Sequence, residues 1–258
     1  MRIIDFHTHP FLDNGQNICS HRDYIPMTVE STRAMYDRLG VERICGSVIE
    51  NGTRGAIRSF DDIRSANDLA LELRERFGGF YVPGFHVHPD FVEESVREIE
   101  RMDALGVRLI GELVPYMHGW KDYSCEGFSL ILDEAERHHM IVSFHSIGED
   151  EMDAMVRRHP GVTFVAAHPG EYAAFCRHMQ RMAMSENYYL DLSGYGIFRH
   201  GMLRRAVDLF GPERFLFGSD YPTCNPGMYV GGVLLDELIT EPEREKIMAG
   251  NAARLLGL

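Results

Sequence analysis

The strongest constraint on the fold is an alternation that runs the length of the chain. Short runs rich in β-branched and aromatic residues, closed by polar or turn residues, fall at 3–9, 43–50, 81–88, 107–115, 141–146, 162–168, 188–193 and 215–220. Helix-type patterns occupy 29–39, 61–77, 92–105, 128–139, 149–158, 172–185 and 201–210 between them. Gly40, Gly78 and Gly106 stand where three of these helices would stop. After the eighth run, Thr240-Glu241-Pro242-Glu243 has the form of a capping box, and a last helix is expected from Lys246 to about Leu256.

Strands joined through helical crossovers lie parallel. Eight such units predict an α/β fold, a (β/α)8 TIM barrel, rather than a doubly wound open sheet, which needs no particular count and usually carries a Gly-rich first turn. No such turn follows the first run. No linker rich in Pro, Gly or Ser and no shift in charge divides the chain, so residues 1–258 are expected to form a single domain.

A barrel of this kind carries its chemistry at the C-terminal ends of the strands. The first run ends in His7-Thr8-His9. Residues i and i+2 of a strand share a face, so two imidazoles placed this way can aim at one point. The fourth run carries Glu112, the fifth reaches His145, the sixth ends at His168 and the eighth at Asp220. Taken alone, either of the last two histidines reads as a hydrogen-bonded core residue, and Asp220 as a helix cap. Together the six groups form the imidazole and carboxylate set of a catalytic Zn²⁺ or similar divalent ion with a position left open.

Charge and composition narrow the partners. A formal net charge of -13 argues against binding a phosphate backbone, which needs a basic face, but leaves a small anionic substrate open. No stretch of 18 or more apolar residues suggests a membrane span. The five cysteines are odd in number, widely spread and without a Cys-x-x-Cys pair, which suggests reduced thiols. With no signal-peptide pattern at the start, a cytoplasmic protein is expected. A small-molecule substrate is the expected partner, and assembly into a homo-oligomer is left open.

The chain resembles the amidohydrolase superfamily, in the amidohydrolase-related branch that includes aminocarboxymuconate semialdehyde decarboxylase and resorcylate decarboxylases. The resemblance is carried by Asp5-Phe6-His7-Thr8-His9, Phe144-His145, Ala167-His168-Pro169-Gly170, Phe217-Gly218-Ser219-Asp220-Tyr221-Pro222 and the tail from Gly250-Asn251 to Leu256-Gly257. It implies that His7, His9, His145 and Asp220 bind the metal, Zn²⁺ above all or Mn²⁺. It also implies that Asp220 is a general base and His168 an acid/base or oxyanion stabiliser. The activity implied is hydrolysis of an amide, ester or lactone by metal-activated water, with decarboxylation of an unsaturated or aromatic acid as the alternative. One ion is the primary expectation. In two-metal relatives a carboxylate at the position of Glu112 bridges to a second ion beside His145 and His168; otherwise Glu112 pairs within the barrel rim.

Other residues have two readings each. Arg54 could neutralise a substrate carboxylate or be a solvated loop arginine. His86 and His88 repeat the pattern of the first strand and could face substrate. Tyr116 and Trp120 could wall a pocket or serve loop packing.

Overall fold

The computed structural model of the chain describes residues 1–49, 57–196 and 199–258. Among them, eight parallel strands run in chain order around one sheet: β1 (Ile4–Asp5), β2 (Arg43–Ser47), β3 (Tyr81–Phe85), β4 (Leu109–Leu113), β5 (Ile141–His145), β6 (Thr163–Ala167), β7 (Tyr188–Asp191) and β8 (Phe215–Leu216). The two end strands meet and close a TIM barrel. Phe6 N–H donates to Phe217 O at 2.9 Å, Asp220 N–H to His7 O at 2.9 Å and His9 N–H to Tyr221 O at 2.6 Å, with a parallel bridge between Thr8 and Tyr221. The regular ladders of β1 and β8 are therefore shorter than the sequence pattern suggests. Their extended backbone continues to His9 and Tyr221, and that continuation carries the ligand-type residues.

The helices follow the expected segments: α1 (Val29–Leu39), α2 (Phe60–Phe77), α3 (Val92–Ala104), α4 (Pro115–His118), α5 (Glu126–Arg137), α6 (Glu149–Arg158), α7 (Tyr172–Met184), α8 (Met202–Phe210), α9 (Pro226–Leu234), α10 (Glu241–Glu245) and α11 (Asn251–Leu256). Each amphipathic helix buries one stripe, as α8 does with Met202, Leu203, Ala206 and Val207. Thr28 and Ser31 cap α1 reciprocally, and Gly40 ends it in the left-handed conformation at φ 70. Thr240 and Glu243 form the expected box at α10. The sequence pattern passes over α4 and α9. The first is a single turn, and Pro226, Gly227, Gly231 and Gly232 make the second read as loop. It forms nonetheless, because Asn225 accepts from Gly227 N–H, Pro226 occupies the first helical position and Val230 and Val233 are buried.

Two apolar layers result. The larger lies between strands and helices, where Ile44, Ile110, Val142, Phe164 and Phe215 meet Tyr36, Leu73, Ile99, Ile131 and Val207. The smaller fills the barrel with one residue from every strand: Ile4, Cys45, Leu109, Ile141, Val165, Tyr189 and Leu216, with Val82 packed against them. Ala249, Ala252 and Ala253 close this floor from the C-terminal helix. At about 1.5–3 kcal/mol for each large side chain buried, the floor is a substantial part of what holds the barrel shut.

Candidate metal centre and active site

Above the floor the interior turns polar. His7, His9, Glu112 and Asp191 are buried, and Asp220, His145 and His168 keep partial access to solvent. The outward nitrogens of the first two imidazoles are engaged. His7 Nδ1–H lies 2.8 Å from Asp191 Oδ2, an acceptor. His9 Nδ1–H lies 3.0 Å from the Ser47 carbonyl, which can only accept. Both rings therefore turn Nε2 inward, where the two atoms are 3.2 Å apart. Glu112 Oε2 stands 3.2 Å from each, and Asp220 Oδ1 at 3.9 and 3.7 Å. Two ring nitrogens and two carboxylates converging in a buried space repel one another unless positive charge, a proton or a metal ion, stands among them. The donor set fits a divalent metal.

The other oxygen of Glu112 turns to a second set. Oε1 lies 2.9 Å from His145 Nδ1 and 3.5 Å from His168 Nε2. Ligand atoms of His7, His9 and Asp220 thus form one group that could hold an ion, and those of Glu112, His145 and His168 form another. Gly111 makes this placement of Glu112 achievable. Its φ is 91, and a Cβ there would meet the Ser143 carbonyl oxygen at 2.1 Å, where the register between β4 and β5 shifts.

The charges follow from this crowding. Burial works against the charged form of His7, but Asp191 and Glu112 overcome it and hold its pKa well above the ordinary value. Burial would also raise Glu112, yet His7 and His145 hold it well below the carboxylate range. Burial lowers His168, and Glu112 offsets this only in part. The cluster attracts positive charge, as a metal site must.

Two of its members are held in the left-handed region: His168 at φ 69 and Asp220 at φ 60. That conformation costs a side-chain-bearing residue about 1–2 kcal/mol, and the surrounding hydrogen bonds hold it in place. Asp5 is one of those constraints. Its buried carboxylate accepts from Ser219 N–H at 2.9 Å, Ser219 Oγ–H at 2.5 Å and Tyr36 O–H at 3.0 Å, tying the strand of His7 and His9 to the strand of Asp220. Burial pushes Asp5 up to about 6 despite those bonds.

A cavity of about 230 Å³ opens over the cluster. Its described lining includes His9, Ile49, Glu112, Tyr116, His145, His168 and Asp220. This is below the ~300–1,000 Å³ usual for small-molecule sites and suits a compact substrate. Tyr116 stands edge-on to the His145 ring at 5.4 Å. Asp220 reaches the cavity with the Cys224 thiol 3.8 Å from Oδ2.

The remaining candidates lie elsewhere. His86 and His88 are buried behind the rim, donating through Nε2 to the carbonyls of Val48 at 2.8 Å and His118 at 2.9 Å. Trp120 packs against Tyr123 and Phe128, with ring centroids at 5.4 and 5.1 Å. None of these three is among the described residues that line the cavity. Arg54 lies outside the described residues. Sequence reasoning missed Asp191 and Ser193. They sit two apart at the end of β7, the same spacing that marked His7 and His9, and that spacing is the signal that could have found them.

The family model described as amidohydrolase matches residues 4–258. Among solved structures, the chain is similar to 5-carboxyvanillate decarboxylase from Sphingomonas paucimobilis, at 18% identity over 100% of this chain and 99% of that one, with a TM-score of 0.70. It is similar also to a dihydroxybenzoic acid decarboxylase from a Polaromonas species, with bound manganese and the inhibitor 2-nitroresorcinol, at 16% identity over 99% and 97% and a TM-score of 0.73. A third likeness is an uncharacterised TIM-barrel protein from Bordetella bronchiseptica, at 19% identity over 100% and 99% and a TM-score of 0.74. No match is found among curated proteins. At these identities the structural likenesses speak to the fold.

Proposed function

Starting from a chain that belongs to the amidohydrolase family over residues 4–258, we propose that it is a metal-dependent hydrolase cleaving an ester, amide or lactone bond of a compact molecule. The observation that carries this reading is the position of Glu112, with one oxygen toward His7 and His9 and the other toward His145 and His168. That arrangement supports two ion positions sharing one carboxylate, where the sequence alone favoured one. Zn²⁺ or Mn²⁺ suits the imidazole and carboxylate donors.

Bound ions supply Lewis acidity, making water available as a nucleophile near neutral pH and polarising a substrate carbonyl. The chain's own residues do the rest. His7 and His9 are held with Nε2 inward by Asp191 and Ser47. Asp220, on the cavity wall, accepts the proton of the attacking water and returns it to the leaving group. His168 and Tyr116 line the cavity and would face the substrate there.

A second reading is decarboxylation of a small aromatic acid, favoured by the named activities of the similar structures. Both are tested by supplying the metal-loaded protein with a panel of lactones, esters and amides beside a panel of hydroxybenzoates, following acid release and carbon dioxide together. Hydrolysis that is lost in Asp220→Asn supports the proposal. Release of carbon dioxide without hydrolysis replaces it with the second reading.

A further inference from the structure

The first two metal-facing imidazoles owe their orientation to groups that accept from Nδ1, and His168 has an equivalent partner that neither the sequence pattern nor the family resemblance points to. Ser193 Oγ lies 3.0 Å from His168 Nδ1, 2.9 Å from His7 Nδ1 and 2.5 Å from Asp191 Oδ1. A hydroxyl has one proton and two lone pairs. Asp191 is an acceptor at both oxygens: Oδ1 faces the Ser193 and His168 amides, which can only donate, and Oδ2 faces His7 Nδ1. The proton of Ser193 therefore goes to Asp191, and both lone pairs are left for the imidazoles. His168 must then carry its proton on Nδ1 and turn a bare Nε2 toward Glu112.

The backbone is built around this contact. Ser193 N–H and His168 N–H both donate to Asp191 Oδ1, at 3.0 and 3.4 Å. Gly194 follows at φ +58 directly against the His168 ring, where a Cβ would come within 2.3 Å of Nδ1. Ser193 itself is fully buried, so no water competes for the hydroxyl.

We infer that Asp191 and Ser193 are positioning residues that set the tautomer of both metal-facing sets at once, His7 directly through the carboxylate and His168 through the serine hydroxyl. The inference rests on the metal-site reading for its purpose, since a bare Nε2 is a ligand and a protonated one is not. The tautomer itself can be measured without metal.

The test is long-range ¹H–¹⁵N NMR of the full chain labelled at histidine, metal-free and then loaded with Zn²⁺, with the His168 signals identified by their loss in His168→Gln. The expected result is a proton on His168 Nδ1 in both states. In Ser193→Ala that preference is lost in the metal-free chain, and binding at the Glu112, His145 and His168 set weakens by about 10–100-fold while the His7 and His9 set is much less affected. Ser193→Thr, which keeps the hydroxyl, retains the wild-type tautomer and supplies the comparison should the alanine variant fold poorly. A His168 proton on Nε2 in the metal-free wild type, or an unchanged tautomer in Ser193→Ala, overturns the inference. A chain that shows the expected tautomers but binds no Zn²⁺ leaves the positioning intact and overturns the metal-site reading instead.

Discussion

The two ends of the barrel interior are built on opposite rules. At the floor, every strand contributes a residue to an apolar cluster that Ala249, Ala252 and Ala253 close. At the mouth, four histidines and three carboxylates converge within a few ångströms, two of them in the left-handed backbone region. The floor gains free energy from burial, and the mouth spends it on holding like groups together. Alterations of the floor are therefore expected to cost stability first, and alterations of the metal-facing groups at the mouth chemistry first.

The sharpest break in that comparison is Asp220→Asn. It keeps the size of the side chain and loses the basic carboxylate, so turnover is expected to fall by about 10²–10⁴-fold, with the melting temperature little changed. A folded, metal-loaded variant with full turnover removes Asp220 from its role.

Next, His7→Ala or His9→Ala takes one of few ligands from a site that nothing else completes, and metal content after dialysis should drop by at least about tenfold. Elemental analysis of the folded variants checks this, and unchanged content would place the ion elsewhere.

The floor is tested by Ile141→Ala, which deletes a buried side chain at the start of β5, the strand that ends at His145. A loss of about 2–5 kcal/mol in denaturant unfolding is expected, with activity per folded molecule unchanged. If catalysis fell with the stability intact, the two ends would not be separable.

The smallest effect lies outside the barrel, where Glu243 accepts from Arg204 at 2.8 and 3.0 Å and from Thr240 N–H at 2.9 Å ahead of the helix that closes the floor. The Arg204 guanidinium and the Thr240 amide lower its pKa to about 2. A depressed carboxylate stabilises the fold above its unfolded pKa, and that share is lost as pH falls from about 4.3 toward 2. In this partly exposed place it should be on the order of 1 kcal/mol, read as the difference in acid unfolding between wild type and Glu243→Gln. Identical acid profiles would remove Glu243 from the account.

Much of this was legible in the sequence because periodicity and strand-end position are local properties. The eight strands, the capping box at Thr240 and the convergence of His7, His9, Glu112, His145, His168 and Asp220 all follow from them. What escaped reading depends on contacts between distant segments. Asp191 and Ser193 repeat the i, i+2 spacing of His7 and His9, but their role exists only once β7 lies beside His7 and His168. Asp5 appears as part of a motif, and its grip on Ser219 exists only because the barrel closes. Trp120, His86 and His88 look like pocket walls by type, yet amphipathic rings serve equally well behind a rim, and there they bond to backbone carbonyls or pack on other rings. The helix α9 escaped because Pro and Gly usually mark loops, while burial of Val230 and Val233 outweighs that preference here.

Glu112 stands between both sets at the mouth, and metal stoichiometry tests its sharing directly. Protein purified without chelator and saturated with Zn²⁺ or Mn²⁺ should bind about two ions per chain, and Glu112→Gln about one or fewer. Saturation of the wild type at one ion, or two ions retained in Glu112→Gln, would contradict it.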